Sequence, residues 1–170
     1  LVMQAANRNA SDLANTLAAQ FTVSETGTLV YLTGGTVPAA DRSLAFVDRQ
    51  GASQALGAPP RPYFAPRLSP DGQRVAVHTQ GGVRQVWSYD IGRNALSPVT
   101  VDGHSSHGIF SPDGKRVVFR SAAGSEDNLY WKAADGSGTA EQLSTSARNQ
   151  TPASWSPDGT TLAFVEEGDS

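Results

Sequence analysis

Apolar residues in this chain arrive in short bursts separated by turn-forming residues. One set of runs, rich in β-branched side chains, spans Thr28 to Leu32, Arg74 to Val77, Arg116 to Phe119 and Thr161 to Val165. A second set is Leu44-Ala45-Phe46-Val47, Val86-Trp87-Ser88-Tyr89 and Leu129-Tyr130-Trp131. Shorter segments follow at Gln54-Ala55-Leu56, Leu96-Ser97-Pro98-Val99 and Glu141-Gln142-Leu143. Short runs of this composition, bounded by Gly, Pro, Asp and Ser, predict strands. Ser11 or Asp12 would cap one short helix carrying Leu13, Leu17 and Phe21 at i, i+4 and i+8.

The runs are in register with a repeat. Ser69-Pro70-Asp71-Gly72 returns as Ser111-Pro112-Asp113-Gly114 and Ser156-Pro157-Asp158-Gly159, at spacings of 42 and 45 residues. A decayed copy, Ser24-Glu25-Thr26-Gly27, lies 45 residues before the first. Proline fixes φ for the second position of a type I turn, aspartate suits the third, and glycine takes the left-handed position that closes a bulged hairpin. A second landmark follows each serine by 24, 21 or 24 residues: Asp48-Arg49-Gln50-Gly51, Asp90-Ile91-Gly92 and Asp135-Gly136-Ser137-Gly138. One unit therefore reads strand, hairpin, strand, loop, strand, Asp-Gly turn, strand. Four antiparallel strands in about 43 residues make a propeller blade.

The fold class predicted is all-β, a β-propeller of four-stranded antiparallel blades, with three full blades and a half blade in the chain. The blades are expected at about 19–57, 64–100, 107–144 and, in part, 152–167, with residues 1–18 outside the repeat. Thirteen Lys and Arg against sixteen Asp and Glu give a net charge of −3, which argues against a nucleic-acid partner. No apolar run approaches the roughly 18 residues of a membrane span, so no membrane insertion by this segment is expected. Cysteine is absent, which removes disulfides, thiol catalysis and thiolate metal sites. The 17 Gly and 10 Pro fit a turn-rich β protein.

The hairpins and downstream Asp-Gly turns resemble the TolB-type, WD-like β-propeller repeat across residues 19–167. Phe21 to Ser24 through Asp48 to Gly51, Ala58-Pro59-Pro60-Arg61-Pro62-Tyr63 leading to Gly72, and Asn128 to Gly136 further resemble the propeller that follows serine/threonine kinase domains in many bacteria. That resemblance implies a sensor or interaction module, with an extracytoplasmic or periplasmic location. Similar repeats also form the propeller of prolyl-oligopeptidase-like enzymes. A fragment of such a hydrolase, its catalytic domain absent, is the alternative.

No catalytic motif occurs: no Gly-x-Ser-x-Gly elbow frames Ser105 or Ser106, which read as loop residues. His104 and His107, three apart ahead of a strand, would suit a metal, but only Asp102 stands beside them, so neither a metal nor another cofactor is expected. His78 reads as a substituted strand position, and Asp71, Asp113 and Asp158 as turn residues. Asp135, Ser137, Thr139 and Glu141 alternate oxygens as a calcium loop would, without the required glycine and full ligand set. Trp87, Trp131 and Trp155 read as packing between blades. The connections at the expected channel mouth vary while the hairpins do not, and loops on a rigid scaffold carry binding. The binding candidates are therefore Arg61, Tyr63, His104, His107, Arg148 and Asn149, for a protein, a peptide or a small polar ligand. Incomplete blades also predict self-association, as a homodimer or larger closed ring, with residues 1–18 of one chain completing the half blade of another.

Overall fold

The computed structural model describes residues 21–23, 29–33, 41–80, 83–124 and 126–168. The expected helix over residues 11–20 lies outside them, and Phe21, its last apolar position, belongs to a strand. Fourteen strands are described. β1 (Phe21–Val23), β2 (Leu29–Thr33), β3 (Ser43–Val47) and β4 (Ser53–Ala55) form the first sheet in chain order. β5 (Tyr63–Leu68), β6 (Arg74–Thr79), β7 (Gln85–Asp90) and β8 (Ala95–Pro98) form the second. β9 (Ser105–Phe110), β10 (Arg116–Ser121), β11 (Asn128–Ala133) and β12 (Glu141–Gln142) form the third. β13 (Gln150–Trp155) and β14 (Leu162–Glu166) make a two-stranded sheet. All strand pairs are antiparallel, and the first strands β1, β5, β9 and β13 pack in succession. The architecture is a β-propeller of four-stranded blades. The decayed hairpin at 24–27 lies outside the described residues.

Each Ser-Pro-Asp-Gly sequence closes the hairpin between the first and second strands with one network, built three times. Gly72, Gly114 and Gly159 have φ of 68°, 67° and 71°, and each N–H donates to the serine carbonyl at 2.9, 2.8 and 2.9 Å. The hydroxyls of Ser69, Ser111 and Ser156 donate to the aspartate carboxylates at 2.5, 2.6 and 2.5 Å. The same hydroxyls accept the N–H of Arg74, Arg116 and Thr161 at 2.9, 3.0 and 3.0 Å. The serine hydrogen bond, followed by a backbone N–H, holds the carboxyls of Asp71, Asp113 and Asp158 below the usual range. The three aspartates thus stabilise turns, as their phase in the repeat predicts.

The core lies between blades, because strands buried on both faces must be covered by their neighbours. On β6, Val75 and Val77 point back and pack with Leu44, Ala58, Tyr63 and Tyr89. Ala76 points forward and packs with Val86, Val99, Phe110, Val117, Phe119 and Ala134. Backbone contact reinforces this second core. A Cβ on Gly136 (φ 81°) would stand 2.4 Å from the Pro98 carbonyl oxygen, so glycine permits the Asp-Gly turn of the third blade to press on β8. In the second blade the left-handed turn position falls to Asn94 (φ 51°) rather than to Gly92, and Asn94 Oδ1 accepts the Tyr89 hydroxyl at 2.7 Å.

Candidate functional site

The two ends of the blades differ in kind. The Ser-Pro-Asp-Gly hairpins occupy one end. At the other, β5, β9 and β13 begin and β6, β10 and β14 finish, through the pairs Phe64↔His78, Ser106↔Arg120 and Thr151↔Val165. His78, Arg120 and Val165 each stand nine residues after their serine, so they are one position repeated in three blades. Its side chain faces forward, towards the first strand of the next blade.

At this position His78 meets His107. The rings are tilted with centroids 4.6 Å apart, and Phe64 stacks on His78 at 5.9 Å. The His107 backbone N–H donates to His78 Nδ1 at 3.3 Å. That bond fixes the His78 tautomer, placing its ring proton on Nε2. His78 is fully buried, and Nε2 has no acceptor among the described residues. Burial, then the positive fields of His107, Arg84, Arg120 and Arg67, push its imidazole well below its ordinary range. Burial together with Arg120, Arg67 and Arg84 lowers His107 to about 4. Both rings are therefore neutral at pH 7.

His107 does not precede the strand, as its sequence position suggested; it lies within β9. It occupies a left-handed conformation (φ 54°) at a break in the β9–β10 register. Ala65, the same position in the second blade, has φ 47° at the corresponding break in β5–β6. A non-glycine residue held there carries strain of about 1–3 kcal/mol, and a bulge re-aims its side chain. Arg120 is held by Thr151 Oγ1 at 2.9 Å and by an ion pair with Asp127, and it ties the third blade to the fourth.

The other candidates separate. Tyr63 is not a loop residue: it is fully buried in β5, with its hydroxyl on the Pro59 carbonyl at 2.7 Å and burial raising its phenol to about 12. Arg61 lies over the Trp87 ring at 4.6 Å. His104 is exposed and bridges Arg84 in a parallel pairing, with its N–H on Asp102 at 3.0 Å. Arg148 reaches Glu166 at 3.9 Å, and Asn149 donates to Glu167 at 2.8 Å while accepting the Asp127 N–H at 2.9 Å. Arg61, His104, Arg148 and Asn149 thus line the same end as His107, with Tyr63 beneath.

Ser105 and Ser106 are buried strand residues, not loop residues. Ser105 donates to Asp102 at 2.7 Å, and Ser121 to the same carboxylate at 3.1 Å. Burial alone would raise the Asp102 carboxyl, but these bonds and the His104 N–H outweigh it and hold it low. Ser106 Oγ lies 3.1 Å from His107 Nδ1. A nucleophile would need an acid behind the imidazole; the charges acting on His107 are arginines. Among the described residues no group of three or more His, Cys, Asp or Glu could hold a metal ion.

Arg67, Arg84, Arg120 and Asp127 escape a reading of the sequence, because the cluster draws residues far apart in the chain from both the second and the third blade. One signal existed: the position nine after each serine is polar in two blades, His78 and Arg120, inside otherwise apolar runs.

Among known proteins, Tol-Pal system protein TolB of Anaeromyxobacter dehalogenans is 32% identical over 90 residues, covering 52% of this chain and 21% of that protein. The chain thus matches about a fifth of the length of that curated relative. A solved protein from Agrobacterium tumefaciens described as a TolB superposes with a TM-score of 0.75 at 21% identity, covering 87% of this chain and 53% of the other. The fold also matches Pyrococcus horikoshii acylaminoacyl peptidase, with a TM-score of 0.56 at 10% identity, covering 79% of this chain and 26% of that one. The family model of the TolB beta propeller domain matches residues 26–170. That match takes in the repeated hairpins and nearly every blade, and the chain belongs to the TolB beta propeller domain family.

Proposed function

We propose that this chain is a non-catalytic recognition segment of a β-propeller, holding a protein or peptide partner across the end where its first strands begin. One observation carries the reading. Arg61, Arg84, His104, His107, Arg120, Arg148 and Asn149 gather at that end, whereas the repeated turn network occupies the opposite end. A rigid scaffold with varied polar groups at one rim suits binding. The relative's place in a Tol-Pal system supports a protein partner and, with the sequence resemblance, an extracytoplasmic or periplasmic setting. Among the described residues no helix is long and apolar enough to cross a membrane. The sequence resemblance to propellers that follow bacterial kinase domains supports a sensor or interaction role. Peptide arrays probed with the full chain test the reading. Binding should fall with Arg61→Ala and Arg148→Ala and persist with Lys115→Ala and Arg93→Ala at the opposite end. The reverse pattern would overturn it.

A second reading concerns assembly and rests on exposure. Val165 is 61% exposed, whereas its counterpart His78 is covered by the following blade at 1%. Ala163 is exposed where Ala76 and Val118 are fully buried. A second copy packed on β14 would cover this face and, by pairing three and a half blades with as many again, give about seven, within the usual range of propellers. Exchange of residues 1–18, which lie outside the described residues, would complete the half blades. Light scattering at micromolar concentration should give twice the 17.8 kDa chain mass. A single-chain mass would remove this reading.

A further inference from the structure

We infer that the contact between His78 on β6 and His107 on β9 is an acid-sensitive latch on the seam of the second and third blades, closed while both rings are neutral and opened when His107 takes a proton and turns to solvent. The device goes beyond the recognition reading and stands whether or not that end holds a partner. In the closed state the rings are tilted with centroids 4.6 Å apart, Phe64 stacks on His78 at 5.9 Å, and the His107 backbone N–H donates to His78 Nδ1 at 3.3 Å. His78 is buried whereas His107 is only partly covered, so a proton reaches His107 first. His107 also sits at the bulge of β9, between the pairs Ser106↔Arg120 and Ile109↔Val118, where the ladder is interrupted. It can therefore leave His78 without breaking those pairs.

Protonation breaks the contact in two ways. A proton on His78 Nδ1 would set two N–H donors against each other where one hydrogen bond now stands. A proton on His107 would put a cation against a buried ring. The charges acting on the pair belong to Arg67 on β5, Arg84 before β7 and Arg120 on β10, and all are positive. β7 sets Val86 opposite His78 and brings no charge there. The carboxylates of this end are engaged elsewhere: Asp102 by Ser105, Ser121 and the His104 N–H, Asp127 by Arg120, Glu166 by Gln150 and Glu167 by Asn149. Burial first, and then these cations, push both imidazoles below their ordinary range, His107 to about 4. In the open state each returns towards about 6.5. The open form thus binds more protons as pH falls below that value, and the closed form loses stability. Opening is confined to a short stretch of the seam. At the rim the Arg84 N–H donates to the Gly103 carbonyl at 3.0 Å, and the Ser105 N–H to the Arg84 carbonyl at 3.1 Å. Towards the hairpins Arg74 Nη2 donates to the Gly114 carbonyl at 2.5 Å, beside the apolar core of Phe110 and Phe119. Among these contacts acid acts on the histidine pair alone.

The test is backbone amide exchange in the full chain, read by NMR at about pH 7, 6 and 5 with each rate divided by its intrinsic value. The opening constant at the His107 N–H should rise with acid by about tenfold to a hundredfold per pH unit, one factor of ten for each histidine that is neutral when closed and charged when open. It should exceed the constants of the buried β10 residues Val117 and Phe119. About 1 M urea should leave it unchanged while raising theirs, because a local opening exposes little surface. Glutamine at 78 keeps an acceptor and asparagine at 107 suits a left-handed backbone, and neither titrates. His78→Gln and His107→Asn should each lower the slope with pH, and together they should remove it; should the double variant fail to fold, the single ones decide. An unprotected His107 N–H at neutral pH, an opening constant flat with pH, a slope unchanged in both single variants, or a urea dependence equal to that of Val117 and Phe119 would overturn the latch. Peptide arrays that find no partner would sink the recognition reading and leave the latch standing.

Discussion

Truncating Phe119 to alanine should cost far more than truncating Phe164, although the two residues occupy one position of the repeat. Both stand eight residues after their serine and face the preceding blade. Phe119 is fully buried in the core with Val86, Val99, Phe110 and Val117, and its ring stacks on Tyr130 with centroids 6.3 Å apart. Removing it forfeits the transfer energy, opens a cavity and ends the ring contact, together about 3–5 kcal/mol. Phe164 is 44% exposed. Just over half of its transfer energy is at stake and solvent fills the space it leaves, so the loss is about 1–1.5 kcal/mol. The difference, roughly 1.5–4 kcal/mol, is outside the error of urea unfolding followed by tryptophan fluorescence and circular dichroism. Equal losses would refute the reasoning. If both are large and the Phe164→Ala loss shrinks on dilution, the β14 face is covered by a second copy. If both are small, the core between the second and third blades is not the one described.

Three further outcomes are expected. Gly114→Val should destabilise by about 1–3 kcal/mol, because a β-branched residue would be forced to φ 67°, and denaturant unfolding reads it directly. Stability should fall as pH drops from about 6.5 to about 4: the folded values of His78 and His107 lie below the unfolded one, so the unfolded chain binds more protons across that window, and a His78→Gln, His107→Asn variant should flatten the midpoint of urea unfolding against pH. Ester, peptide and glycoside substrates should show no turnover above a mock preparation; activity lost in a His104→Ala, His107→Ala variant would overturn the non-catalytic reading.

The blades were legible because their determinants are local. A proline, an aspartate and a glycine in four consecutive positions dictate a turn whatever surrounds them, and the serine hydroxyl then locks it from five residues away. Register follows, since a hairpin fixes which residues face each other. Where determinants cross blades, legibility ends. Nothing near Tyr63 in sequence shows that Leu44, Val75 and Tyr89 will bury it, so its polar neighbours made it look like a loop ligand. Nothing near His107 shows that it will enter a strand in a left-handed conformation. Ser105 and Ser106 looked like loop residues because the Asp102 carboxylate that fastens Ser105, and the Ser121 hydroxyl that shares it, sit in the turn before and on β10.

The polar residues at the position nine after each serine carry a structural cost that the rest of the repeat avoids. At that position His78 and Arg120 replace what an apolar side chain would fill more cheaply, since buried polar groups must find partners. Arg120 finds Thr151 and Asp127 and so becomes a tie between blades; a hydrophobic residue there would give packing without direction. His78 finds only one partner, on Nδ1. The two side chains differ in what they join: Arg120 links the third blade to the fourth through Thr151, whereas His78 packs between Phe64 and His107 and accepts one backbone N–H. Arg120→Leu is expected to cost more stability than His78→Leu, because it leaves the buried Asp127 carboxylate without its cation and Thr151 without its donor, whereas His78→Leu puts an apolar side chain in place of a buried imidazole. Urea unfolding midpoints of the two variants check this, and a His78→Leu chain that unfolds as readily as Arg120→Leu would contradict the distinction.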